Sequence, residues 1–164
     1  MSNILGTCKI VSRFDTKFDY NSYSLSEVAQ YLAAFFFDLR TIHFLTIGSE
    51  FYTYHSLAED LYETTEDYYD DLVESAIGYN ELFVSMNVIP DDWEVVNPNL
   101  YFDLNTNKFV PQVLIFDRLK KIFDILQNVR DYDSGIRSKL DAMMEYYDKE
   151  IYKLSRVLKA VEVF

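Results

Sequence analysis

Apolar residues spaced three and four apart mark most of this chain as helical. Leu25, Val28, Leu32, Phe35, Phe36, Leu39 and Ile42 form one broad apolar face and predict a first helix. Its start falls at Ser24, because Ser24-Leu25-Ser26-Glu27 has capping-box form, hydroxyl and carboxylate each accepting from a free amide. Gly48 is expected to stop it, leaving His43 in its last turns. From Ser49 to Ile77 there is no proline or glycine, so roughly eight helical turns are predicted, with Gly78 as a left-handed cap. A third helix runs from about Pro111, proline being permitted in a first turn, to Arg130. Its residues Ile115, Leu119, Ile122, Leu126 and Val129 repeat in alternating steps of four and three, a seam fit for bundle packing. Asp131-Tyr132-Asp133-Ser134-Gly135 makes a turn into a fourth helix, 134–160, carrying Ile136, Leu140, Met143, Met144, Tyr147, Ile151, Leu154 and Leu158. The two methionines read as core filler.

Two stretches depart from this pattern. Residues 1–23 form a polar tail, and 24–164 hold the helical domain. Residues 79–110 carry the turn signals Pro90-Asp91-Asp92-Trp93, Asn97-Pro98-Asn99 and Asn105-Thr106-Asn107. Trp93, Tyr101 and Phe102 within that connection read as packing residues.

The chain's 164 residues suit one domain with a substantial core. Its 49% hydrophobic content excludes disorder by composition, and only 4 Gly and 3 Pro favour helices over many-turned sheets. No apolar run is long enough to span a membrane, and the N-terminus lacks the build of a signal peptide. The single Cys8 permits no internal disulfide and fits a reducing compartment, so a cytoplasmic protein is expected. Net charge is −12, which repels phosphate backbones and attracts cations. In the tail, Lys9, Arg13 and Lys17 are offset by Asp15 and Asp19, so DNA binding is not expected.

The chemistry concentrates between His43 and Glu74, a stretch that holds both histidines. At about 100° per residue, His55, Glu59, Asp70 and Glu74 fall within one stripe roughly 100° wide, the layout of a metal-binding face. One helix cannot close such a site, because His55 and Glu74 lie about 28 Å apart at 1.5 Å per residue. The pairs His55/Glu74 and Glu59/Asp70 share one midpoint, between Thr64 and Thr65. Two copies packed antiparallel about a two-fold axis there set His55 opposite Glu74 of the mate and Glu59 opposite Asp70. An isologous contact occurs twice, giving two equivalent sites, to which His43 adds a second imidazole. Other chemistries fail on inventory. Neither histidine has a Glu three residues before it, as an intrasubunit di-iron centre wants, and there is no cysteine pair, phosphate-binding glycine loop or Gly-x-Ser-x-Gly elbow.

The same stretch resembles the ferroxidase signature of the Dps family, the DNA-protection-during-starvation miniferritins. That signature is His-Trp-x-x-x-Gly-x-x-Phe-x-x-x-His-x-x-Phe-Asp/Glu-x-x-Tyr, then Asp-x-x-Ala-Glu-Arg. His43, Gly48, Phe51, His55, Glu59, Tyr62, Asp70 and Glu74 match it without a gap. Phe44 stands for Trp, Ala58 for Phe, Val73 for Ala and Ser75 for Arg. The resemblance implies an all-α, ferritin-like four-helix bundle with a long crossover, 79–110, between helices two and three. That connection is roughly 15 residues longer than the family's usual one, and loops of such length are uncommon without a role. The resemblance further implies two-fold dimers assembled into a dodecamer, Fe(II) oxidised by hydrogen peroxide, and storage of the ferric product. His43, His55 and Glu59 would come from one subunit, with Asp70 and Glu74 from its two-fold mate. The altered positions and longer connection also permit an alternative, a non-catalytic subunit of this fold with a structural role in a larger assembly.

Overall fold

The computed structural model describes residues 22–48, 51–81, 88–100 and 110–162. Residues 1–21 of the tail, together with Tyr101 and Phe102, lie outside them. The described residues hold four long helices, α1 (Leu25–Leu45), α2 (Phe51–Gly78), α3 (Pro111–Gln127) and α4 (Ser134–Glu162), and a short 3₁₀ turn at Pro98–Leu100. They pack as a four-helix bundle. None of them is long and apolar enough to cross a membrane.

The helix starts follow their local chemistry. Ser24 Oγ accepts from the Glu27 amide at 3.2 Å, while the Glu27 carboxylate accepts from the Ser24 amide at 2.8 Å. At α4, the Asp133 carboxylate accepts from the Ile136 amide at 3.0 Å and from the Tyr79 hydroxyl, and the Tyr79 bond chiefly holds its pKa below the usual range.

The helix ends depart from the sequence pattern for reasons the contacts supply. α1 stops at Leu45 rather than at Gly48, because Thr46 turns to extended backbone and its Oγ1 donates to the Ile42 carbonyl at 2.7 Å. Gly48 lies beyond, with φ +80°. Gly78 is the last residue of α2, and the left-handed cap is Asn80, with φ 54°, past which the Glu81 amide donates to the Ala76 carbonyl. α3 ends three residues early because Val129 forms a bridge with Tyr23. The Tyr23 amide donates to the Asn128 carbonyl and the Arg130 amide to the Tyr23 carbonyl, at 2.8 and 2.9 Å.

The apolar seams meet in one core. All seven positions of the predicted α1 face are buried, as are Ile115, Leu119, Ile122, Leu126 and Val129, and Ile136, Leu140, Met143, Tyr147 and Leu154 of the last stretch. Contacts fix the relative directions. The start of α1 meets the end of α2 through Ser26 and Glu81, and its last turns meet the start of α2 at His43 and His55, so these helices are antiparallel. The pairing of Tyr23 with Val129 and the Asp38–Arg118 ion pair set α3 antiparallel to α1. α4 runs antiparallel to α2, through Asp71–Lys139 at 2.6 Å and a buried Thr65–Tyr147 hydrogen bond at 2.8 Å.

The connection between α2 and α3 is anchored where it is described. Trp93 is buried, as expected of a packing residue, with its ring against Phe35 and Tyr31. Asp38, in the middle of α1 and 1% exposed, accepts from Trp93 Nε1 and the Val96 amide, both at 2.9 Å, and from Arg118 Nε at 3.3 Å. Burial pushes the Asp38 carboxyl up, against the opposing pull of these three donors.

Candidate metal centre

The end of the α1–α2 pair where the chain passes from α1 to α2 holds the cluster. His43 lies in the last turn of α1, whose carbonyls have no helical partner. His55 Nδ1 fills that need by donating to the His43 carbonyl at 3.0 Å, and His43 Nδ1 donates to the His55 carbonyl at the same distance. A carbonyl oxygen only accepts, so both rings carry their proton on Nδ1. In the neutral ring this leaves the Nε2 lone pair to a metal, the ring orientation being fixed by a backbone carbonyl from the other helix.

Aromatic neighbours hold the rings in place. The two imidazoles stack with centroids 3.6 Å apart, and Phe51 stacks on the far side of His55 at 4.3 Å. Tyr62 and Phe44 meet His43 edge-on at 5.5 and 5.3 Å. Glu59, one turn after His55, brings its carboxylate to the same point. Ligand atoms of His43, His55 and Glu59 all lie within 4.8 Å of one another, with His43 buried and the other two half-buried.

Asp70 and Glu74 stand apart from this trio. Both are exposed on the second half of α2, Asp70 about 16 Å beyond Glu59 and Glu74 about 28 Å beyond His55 along the helix axis. One chain thus assembles three of the five sequence-predicted ligands and displays the other two. Two imidazoles and a carboxylate make a donor set suited to a divalent first-row transition metal.

Sequence reading overlooked Arg40. Its guanidinium lies 5.2 Å from the Tyr62 ring centroid, 5.6 Å from that of Phe36 and 6.0 Å from that of Phe44, a cation set among three rings beside the centre. The signal was there, since Phe36 and Phe44 are each one turn from Arg40 on the first helix. Asp38 was missed as well, and its role is structural.

Comparison with protein-family models, curated proteins and solved structures gave no match.

Proposed function

We propose that this chain is the subunit of a Dps-like miniferritin that takes up Fe(II) at centres shared across a two-fold axis, oxidises it with hydrogen peroxide and stores the ferric product. The observation that carries the reading is the reciprocal hydrogen bonding of His43 and His55, which leaves two Nε2 atoms free beside the Glu59 carboxylate. Such an arrangement is costly to explain as packing alone, because it spends both Nδ1 protons on orienting the rings. In this reading Asp70 and Glu74 of the partner subunit complete the centre, and their exposure leaves them free to do so. Each Fe(II) gives up one electron, and one peroxide accepts two as its O–O bond breaks. Removing Fe(II) and peroxide together is what makes the reaction protective.

A ferritin-like path with a lengthwise crossover is supported by the helix directions. α2 ends beside the start of α1, whereas α3, antiparallel to α1, starts beside its end. Joining them calls for a connection that returns along the bundle, and its described residues Trp93 and Val96 are held by Asp38, midway along α1.

The test is peroxide-driven oxidation of Fe(II), followed by the ultraviolet absorbance of the ferric product. Wild-type protein should oxidise Fe(II) well above the buffer rate, and a His55→Ala/Glu59→Ala variant should fall to that rate with its helical circular dichroism unchanged. Wild-type protein that binds Fe(II) but oxidises it no faster than buffer would instead support the non-catalytic structural subunit.

A further inference from the structure

We infer that the metal gates the pairing of two copies through α2, and this rests on the shared-centre reading above. α2 carries eight carboxylates and no lysine or arginine. At about 100° per residue, Glu63 and Glu66 fall in the same outward stripe as Glu59 and Asp70. Glu63, Glu66, Asp70 and Glu74 are all exposed. Antiparallel pairing about the midpoint of the stripe sets Glu59 opposite Asp70 of the partner subunit and Glu63 opposite Glu66 of the partner subunit, so like charges face one another. The nearby cations are engaged elsewhere: Lys139 pairs with Asp71 at 2.6 Å, and Arg40 lies over its three rings.

Set against this repulsion is apolar surface that a second copy would cover. Around the centre, Phe44 is 70% exposed, Tyr52 85%, Ile47 59% and Phe37 49%. Grouped exposed rings of this kind favour association. The balance between apolar attraction and carboxylate repulsion is set by the charge on the stripe. A divalent cation in each centre draws together Glu59 of one copy with Asp70 and Glu74 of the partner subunit, turning the repelling groups into shared ligands. By mass action, a cation that binds the pair better than the single chain tightens the pair, and two equivalent centres multiply the effect. A tenfold gain per centre makes the pair about 100-fold tighter.

The experiment uses the full chain, stripped with a chelator and desalted, and sedimentation velocity at low ionic strength with and without Co(II). Cobalt stays divalent without peroxide, and its visible spectrum reports binding separately from association. Co(II) should shift self-association to at least tenfold lower protein concentration. Sodium chloride near 1 M should partly replace it, because the screening length falls from about 10 Å at 0.1 M to about 3 Å. An Asp70→Asn/Glu74→Gln variant should self-associate without metal at least as well as wild type and should lose the response to Co(II). Exposed positions make misfolding an avoidable confusion, and helical circular dichroism checks it. If Co(II) binds and association does not change, the gate is overturned while the iron reading stands. If no Co(II) binds, both fall. A neutralised variant that associates more weakly than metal-free wild type also overturns the gate.

Discussion

Asp38→Ala is expected to be among the most damaging single changes in this chain, and its cost follows from the donors it strands. Trp93 Nε1 and the Val96 amide are buried and both donate to Asp38, so each loses its acceptor. An unsatisfied buried donor costs about 1–3 kcal/mol, which gives about 2–6 kcal/mol for the two. Arg118 keeps a second partner, its Nη2 donating to the Glu94 carbonyl at 2.7 Å, so its stranding is partial. Against this, alanine removes the burial cost of the carboxylate that pushes its pKa up, so the net loss should sit below the middle of that range, about 3 kcal/mol. Urea unfolding followed by tryptophan emission is the assay, and Trp93 is the chain's one tryptophan, so the probe sits on the perturbed contact. At a slope of about 1–3 kcal/mol per molar urea, the midpoint should fall by about 1–3 M. Asp38→Asn keeps one acceptor oxygen and should lose about half as much. A loss below about 1 kcal/mol for Asp38→Ala would refute the anchoring role of this carboxylate.

pH provides a second reading of the same group. The folded pKa of Asp38 lies above the unfolded value, so between the two the folded chain holds an extra proton. Its contribution to stability therefore falls as pH rises from about 4 through the raised value. The advantage of wild type over Asp38→Asn should be greater near pH 4.5 than near pH 7.5, and an advantage that grows with pH would contradict the direction of the shift.

The remaining expectations are smaller or negative. Ser24→Ala removes half of the capping box on α1 and should cost about 1 kcal/mol by denaturant unfolding, whereas Ser24→Asp should cost far less. Tyr147→Phe leaves Thr65 Oγ1 buried without its partner and should cost about 1–2 kcal/mol, and simultaneous Thr65→Val should recover part of that loss. DNA should not shift in a gel at about 0.15 M salt, since a chain of net charge −12 neutralises few phosphates, and a shift that survives competitor DNA would contradict this.

The helices were legible in the sequence because each apolar seam has the period of the element it forms. The Ser24 cap was legible because its partners lie three residues apart. What escaped depends on distance along the chain. Val129 looked like a continuing helix because its competing partner, Tyr23, is more than a hundred residues away. Gly78 looked like the cap, yet Asn80 takes the left-handed position, a preference that local composition does not separate. Asp38 sits in the run Phe35-Phe36-Phe37-Asp38-Leu39, where nothing nearby announces that Trp93, Val96 and Arg118 will surround it. At the centre, spacing alone put His55 and Glu59 on one face and set Asp70 and Glu74 at a distance one chain cannot close. It did not reveal that each imidazole would orient the other through a backbone carbonyl, because a sequence shows residue types and not tautomers.

The claim that the centre is shared is tested most directly by mixing two defective variants. His43→Ala/His55→Ala and Asp70→Ala/Glu74→Ala should each lose fast Fe(II) oxidation alone. In a mixed pair the first still supplies Asp70 and Glu74, and the second supplies His43, His55 and Glu59, so one of two centres is rebuilt whole. Verified heterodimers should recover about half the wild-type activity per pair, and random mixtures about a quarter, by the symmetry of an isologous contact. A centre built within one chain would recover nothing, because no chain carries the full set. Absence of recovery in verified heterodimers would contradict the shared centre even if the protein still bound iron.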